Sequence, residues 1–320
     1  MKAVVINKEQ SLNLCEIPNP VLKEGYVIIQ VKAAGVNRAD LLQVAGKYPP
    51  PPGWPDWPGL ECAGVIAEAA PDSRWKVGDR VCALLGGGGY AEKVLVPEGM
   101  VMSIPEGCSF AEAACLPEVY TTAMLNLVRL ADLKKGETVF IQAGASGLGI
   151  AAIQIAKLIG AKVVTTISSK DKAAAVKKLG ADVIINRKEQ SVVDELLKHP
   201  VDVALDCAGG ELLGKCLEAV NPGGRWILVA TLGGETTNIP LRVLLKKHIR
   251  LMGSTLRSRS DEEKCEILKE LAGKILPQMI SADIKPVIYQ TFPLADAALA
   301  HDVLKKQNNI GKVVLIIDKD

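Results

Sequence analysis

Histidine is scarce in this sequence: 320 residues contain only His199, His248 and His301, and none stands close to a cysteine or to another histidine. A zinc site needs three or four converging thiolate or imidazole ligands, so no protein-bound metal is expected. The eight cysteines include no Cys-x-x-Cys pair. Most lie in apolar surroundings such as Val81-Cys82-Ala83, which reads as buried free thiols rather than disulfides. Neither sign of charge is in excess, with 38 Lys and Arg against 36 Asp and Glu, so the clustered basic footprint of a nucleic-acid binder is missing. No apolar run approaches the roughly 18 residues of a membrane-spanning helix. Met1-Lys-Ala-Val-Val-Ile-Asn7 runs straight into Lys8 and Glu9 without the longer apolar stretch of a secretory signal, and a cytosolic protein is expected. What remains, 48% hydrophobic and 23% charged residues in a chain of this length, is the composition of a folded protein, with enough chain for two domains.

Two textures follow one another along the chain. Up to about Leu116, short β-rich runs alternate with Gly and Pro. Residues 25–32 and 62–68 read as strands, and Val77-Gly-Asp-Arg80 and Gly86-Gly-Gly-Gly89 as turns or loops. The four glycines fit either a flexible surface loop or a tight crossing beside a ligand. Pro49–Pro52 with Trp54 and Trp57 fits a rigid cleft wall or a surface polyproline loop. From about Tyr120 to Ser254 the rhythm changes. Strands at 137–142, 162–167, 183–186, 201–206, 225–230 and 249–253 alternate with helices such as 147–159, 171–179 and 210–220. Strict alternation of this kind predicts a doubly wound parallel sheet. The tail holds a helix near 261–272, the segment 284–289, a helix from Leu294 and a strand at 312–317. That last strand has no place in a completed doubly wound sheet, so it is expected to return to the β-rich half. The expected fold class is α/β: a β-rich domain of residues 1–119 completed by 259–320, and a doubly wound domain of residues 120–258.

The strand ending at Gln142 runs into Ala143-Gly-Ala-Ser-Gly-Leu-Gly149 and then into a helix. Strand, glycine-rich turn and helix N-terminus form the pyrophosphate site of a dinucleotide fold, with free N–H groups and the helix dipole aimed at the anion. Gly144, Gly147 and Gly149 let the backbone approach, and Ser146, which replaces the middle glycine of G-x-G-x-x-G, can add its hydroxyl. An NAD site carries an acidic residue about 20 residues on, at the end of the second strand. Ile167 stands there instead, followed by Ser168-Ser-Lys-Asp-Lys172. Ser169 and Lys172 suit a 2′-phosphate, which points to NADPH; the alternative for Lys170 and Lys172 is a solvated helix face.

With these residues in view, the chain resembles the zinc-free quinone oxidoreductase branch of the medium-chain dehydrogenase/reductase superfamily, the ζ-crystallin-like and p53-inducible enzymes. The resemblance is carried by Gly35-Val-Asn-Arg-Ala-Asp40, Gly46-Lys-Tyr-Pro-Pro-Pro-Pro52, Pro58-Gly-Leu-Glu-Cys-Ala-Gly64, Trp75-Lys-Val-Gly-Asp-Arg-Val81, Gly89-Tyr-Ala-Glu92, the Ala143–Gly149 loop, Leu179-Gly-Ala-Asp182 and Asn309-Ile-Gly-Lys312. It implies a GroES-like catalytic domain and a Rossmann domain. In zinc-dependent members a Cys and a His stand where this chain has Asn37 and Leu60, so no metal site is implied. The resemblance also implies that Asn37, Thr122 and Asn309 lie at the nicotinamide end, and that Ser146, Gly147 and Leu148 hold the pyrophosphate. By the same resemblance Ser169, Lys172 and Arg187 hold the 2′-phosphate, and Gly311 and Lys312 form the closing cofactor segment.

Zinc would polarise a carbonyl oxygen. Without it, hydride transfer suits an acceptor that spreads negative charge by conjugation, and hydrogen-bond donors then suffice. The Asn37 amide and the Tyr48 hydroxyl are the candidate donors, Tyr48 having a second reading as an aromatic packed on the proline run. The expected function is an NADPH-dependent quinone oxidoreductase, with a 2-alkenal or enone reductase as alternative and a catalytically silent, crystallin-like NADPH-binding protein as an alternative of another class. A homodimer is expected through the edge strand of the nucleotide domain, with no nucleic-acid or membrane partner.

Overall fold

The computed structural model describes residues 1–281 and 284–317. The chain forms two compact units, one of Met1–Thr121 with Arg257–Asp320 and one of Thr122–Leu256.

In the second unit the alternating segments build a six-stranded parallel sheet. Its order is Val183–Asn186, Lys162–Ile167, Thr138–Ile141, Val201–Asp206, Val220–Leu228 and Arg250–Gly253. The first of these strands in sequence therefore lies beside the fourth at the centre, and the chain winds outward in both directions, as doubly wound folds do. Strands covered on both faces must be apolar on both. Here Phe140, Val164, Ile185, Ala204 and Trp226 share a core with Leu196, Leu213 and Leu217 from the segments between strands. Trp226 is fully buried, and its indole N–H donates to Asp206 at 2.9 Å, which satisfies its one polar atom. Two boundaries differ from expectation by more than two residues. The fifth strand starts at Val220 rather than 225 because Asn221-Pro-Gly-Gly lies inside it. Gly223 at φ +77° and a register shift between Val201 and Val203 mark the irregularity, and turn residues inside a strand conceal its start. The helix expected over 210–220 is α-helical only for Gly210–Cys216 and tightens to a 3-10 turn at Leu217–Ala219.

The first unit is built on a seven-stranded sheet. Its spine is the strand Tyr26–Val36, which pairs antiparallel with Glu61–Ala69, with Lys93–Pro97 beside its first half and with Lys312–Ile316 beside its second. The late strand thus returns to the early half, running from Val313 opposite Val36 to Ile316 opposite Ala33. In the tail segment 284–289 a strand starts at Ile288, after Pro286, and runs to Pro293. The helix from Asp261 ends at Glu270 and continues as a π turn, Leu271–Ile275. Gly86 to Gly89 are buried, not a surface loop. A Cβ on Gly86 would stand 2.5 Å from the Trp54 ring, and Trp57 donates its indole N–H to the Gly88 carbonyl at 3.1 Å. The glycines form the floor on which the tryptophan segment rests. All eight cysteines are unpaired; Cys62, Cys82, Cys115 and Cys216 are buried, whereas Cys15 is exposed.

Candidate functional site

In the first unit a buried polar cluster joins residues far apart in sequence. Asn37 follows the spine strand and caps the helix Arg38–Val44, where its N–H donates to Asp40 Oδ2 at 2.7 Å. Lys312, first residue of the returning strand, directs its ammonium at Val36 O (2.9 Å), Asn37 Oδ1 (2.6 Å) and Glu61 Oε1 (2.6 Å). The Asn37 amide in turn donates to Glu61 Oε1 at 2.9 Å and to the Gly35 carbonyl at 3.4 Å. Glu61 reaches this place only because residue 35 is glycine: a Cβ there would lie 2.3 Å from Glu61 Oε1 and 2.5 Å from the Ala114 carbonyl. Asp40, fully buried, also accepts from the Gly59 N–H at 3.0 Å and from the Tyr90 hydroxyl at 3.1 Å. Tyr90 lies 3.1 Å from His301 Nε2. Burial drives Asp40 up to about 6, against the hydrogen bonds from Asn37 and Gly59 and the charge of Lys312. Burial, aided by Lys305, holds His301 down to about 4. Both shifts follow from the cost of charge in a low-dielectric interior.

A second group of the same unit centres on Arg257. Its guanidinium donates to Gln43 Oε1 at 2.6 Å, to the Gly86 carbonyl at 2.6 and 3.0 Å and to the Tyr48 carbonyl at 2.9 Å. It also stacks on the Tyr48 ring with 5.0 Å to the centroid, a cation–π arrangement. The half-buried Tyr48 hydroxyl has no hydrogen-bond partner among the described residues. Burial, then Glu118, raises its pKa, with Arg257 opposing, so it stays a donor at neutral pH. Glu118 opens the helix Pro117–Met124, and its backbone N–H donates to Glu61 Oε2 at 2.9 Å.

In the second unit the glycine loop is held by the neighbouring strand. The Ala143 and Gly144 amides donate to Thr166 Oγ1 and Thr166 O, each at 2.9 Å. Gly144 lies so close to this strand that a Cβ would stand 2.1 Å from Thr165 Oγ1. Ser146 caps the helix Gly147–Ile159 by accepting from the Gly149 N–H at 3.0 Å. The amides of Gly147 and Leu148 have no partner among the described residues, and such unpaired first-turn N–H groups are what an anion binds. Next to the loop, the buried Gln142 side chain has an Nε2 without a hydrogen-bond partner. At the end of the second strand, Ser169 caps the helix Lys170–Lys178. Burial lowers the Lys172 pKa, and the charges of Arg187 and Lys188 lower it further. Three cations therefore gather where an anion would relieve their repulsion. Unpaired amides, an orphaned buried donor and clustered cations all fit a phosphorylated dinucleotide.

Of the residues singled out from sequence, Gly144, Ser146, Gly147, Leu148 and Gly149 share one loop, and Ser169, Lys172 and Arg187 share one end of the sheet; these and Thr122 belong to the second unit. Asn37, Tyr48, Asn309, Gly311 and Lys312 belong to the first. Asn309 donates its amide to the Gly311 carbonyl at 2.7 Å and so shapes the turn before Lys312. The Lys312 ammonium has three protons and directs them at three protein oxygens, Val36 O, Asn37 Oδ1 and Glu61 Oε1. The Asn37 amide donates to Glu61 and Gly35. Glu61, Glu118 and Gln142 were missed, although Glu61 and Glu118 each interrupt an apolar run, which is a signal of a buried charge with a task. Among the described residues no group of three or more His, Cys, Asp and Glu is arranged to hold a metal ion.

Residues 23–106 match the family model of the alcohol dehydrogenase GroES-like domain, and residues 147–272 match that of zinc-binding dehydrogenases. Human quinone oxidoreductase is 32% identical over 310 residues, covering 94% of this chain and 92% of its own. A quinone oxidoreductase from Thermus thermophilus, whose complex with NADPH is also solved, is 31% identical, with a TM-score of 0.84 over 99% of this chain and 100% of that one. The CurK enoyl reductase has the same fold, with a TM-score of 0.86 at 26% identity over 99% of each chain.

Proposed function

We propose that this chain, which belongs to the quinone oxidoreductase branch of the medium-chain dehydrogenase/reductase superfamily, reduces a quinone with NADPH and without a metal. The observation that carries the reading is the Lys312 ammonium, 2.6 Å from both Asn37 and Glu61. Asn37 stands where zinc-dependent relatives have a ligand, and it is bonded here to a built-in cation. With no Lewis acid to stabilise an isolated alkoxide, the acceptor must stabilise its own negative charge, as a quinone does.

NADPH, when bound, supplies the hydride. The chain's own residues bind and orient. Ser146, Gly147 and Leu148 offer a hydroxyl and two amides to the pyrophosphate, and Ser169, Lys172 and Arg187 meet the 2′-phosphate. The Tyr48 hydroxyl, with its ring held by Arg257, donates to the acceptor oxygen, and this positioning supplies much of the acceleration. The test is NADPH oxidation by the purified protein against ortho-quinones, para-quinones and enals. Turnover with quinones supports the reading; turnover with enals alone replaces it by enone reduction, which the likeness to an enoyl reductase favours.

The same reading makes the protein a cytosolic homodimer. Arg250–Gly253 is an edge strand, and the helix Leu241–Lys247 before it exposes Leu241 and Leu245 at 69% and 75%. An apolar edge invites pairing with a second copy. Light scattering at micromolar concentration checks this, and a monomeric mass refutes it.

A further inference from the structure

The proline and tryptophan segment after Tyr48 forms one wall of a cavity that takes no part in the polar cluster. The cavity holds about 210 Å³ and lies wholly within the first unit. None of Asn37, Tyr48, Glu61, Arg257 and Lys312 lines it. Its first wall is Trp54, Pro55 and Trp57, and these rings are fixed from behind. A Cβ on Gly86 would stand 2.5 Å from the Trp54 ring, and one on Gly88 would stand 2.8 Å from Pro55. The Gly88 carbonyl holds the Trp57 indole N–H, and the Gln43 amide holds the Asp56 carbonyl. A second wall is the strand Lys93–Pro97, where alternation buries Val94 and Val96 and leaves Lys93 and Leu95 on the other face. The third is the turn from Lys23 to Tyr26, closed by the Tyr26 N–H on the Lys23 carbonyl at 3.1 Å with Gly25 at φ +75°. That turn brings both Lys23 and Tyr26 to the cavity.

The side-chain donors here are unspent. The Trp54 indole N–H, the Tyr26 hydroxyl and the ammonium groups of Lys23 and Lys93 have no hydrogen-bond or ion-pair partner among the described residues. Asp261, the one carboxylate of the lining, is already paired with Lys264 at 3.2 Å. Flat aromatic walls held rigid, beside two uncompensated positive charges, call for a flat ligand with a negative charge.

We propose that this cavity binds a small aromatic carboxylate, its ring against the tryptophan and proline surfaces and its charge on Lys23 and Lys93. Size agrees, since a cavity of about 150 Å³ takes benzene, and this one has room for a second fused ring. A neutral aromatic would leave both ammonium groups uncompensated, and an aliphatic acid would not use the flat walls.

The experiment is isothermal titration calorimetry of the full chain with naphthoate and with naphthamide, which has the same shape and no charge. Naphthoate should bind saturably and more tightly than the amide. In the double variant Lys23→Ala with Lys93→Ala, naphthoate should bind about 3–30-fold more weakly, the range for two partly exposed ion pairs, while amide binding stays as in wild type. Trp54→Leu should weaken both probes. Saturating NADPH or a quinone should leave the naphthoate affinity unchanged. Absence of saturable binding at millimolar concentration, equal affinity for acid and amide, or a double variant that binds naphthoate as wild type does overturns the proposal. Displacement of naphthoate by NADPH or the quinone overturns it too, and leaves the reductase reading intact. A proline-rich peptide that displaces naphthoate and binds more tightly gives the cavity to a peptide instead.

Discussion

Replacing Lys312 with methionine removes one charge and keeps most of the side chain's volume. Lys312 is 4% exposed and Glu61 fully buried, with 2.6 Å between the ammonium and the carboxylate. In Lys312→Met the Glu61 carboxylate keeps the Asn37 amide and the Glu118 N–H as donors but loses its counter-charge, and Asn37 Oδ1 loses its donor. Breaking a buried pair by removing one partner costs about 3–5 kcal/mol. At roughly 2–4 °C per kcal/mol for a unit of this size, the melting temperature of the first unit should fall by about 6–20 °C. Adding Glu61→Gln removes the orphaned charge while keeping an acceptor for the Glu118 N–H. The double variant should therefore recover more than half of the loss, a coupling that independent sites would not show. Differential scanning calorimetry of the wild type, both single variants and the double variant closes the cycle. A Lys312→Met protein melting within about 2 °C of wild type would refute the account, because an uncompensated buried carboxylate cannot be that cheap.

Lys172→Ala should raise the KM for NADPH several-fold while leaving that for NADH nearly unchanged, since a contact to the 2′-phosphate is one NADH cannot make; equal changes for both cofactors in steady-state kinetics would point to a fold defect instead. His301 is held at about 4 in the folded chain against 6.5 as its ordinary value. As pH falls from 6.5 to 4 the unfolded chain takes up a proton that the folded one refuses, so this residue removes up to about 3 kcal/mol of stability over that window. Asp40, raised to about 6, works in the opposite sense as pH falls from 6 towards 3.8. His301→Gln should thus lose less melting temperature than wild type between pH 7 and 4.5, and an equal or steeper loss would contradict the burial argument.

The nucleotide unit was largely legible because its signals are local. A glycine loop between an apolar strand and a helix declares itself within a dozen or so residues, and each strand–helix step repeats the cue. Even there, the start of Val220–Leu228 was hidden by Asn221-Pro-Gly-Gly. The polar cluster was not legible, because it is made by pairings no local pattern encodes: Lys312 meets Asn37 across 275 positions, and only the register of the returning strand brings them together. The same holds for Gly86 to Gly89, whose composition suggests an open loop and whose surroundings, Trp54 and Trp57, are set by tertiary packing. Glu118 stood in plain sight in an apolar run, but the partner of its N–H, Glu61, comes from another segment.

The return of the last strand also sets a schedule for synthesis. The nucleotide unit is one unbroken stretch of chain, complete once residue 256 has emerged, and domains fold as units while translation proceeds at about 5–20 residues per second. The first unit has no such independence. Ala33 to Val36 wait for Val313 to Ile316, and until those arrive a row of unpaired amides and carbonyls lies open on the nascent chain, a template for the wrong partner. Glu61 waits as well, since its cation, Lys312, follows only after the nucleotide unit is complete. The first unit thus begins before the nucleotide unit and is completed after it, and any truncation that removes the returning strand leaves it with both an open edge and an unneutralised interior.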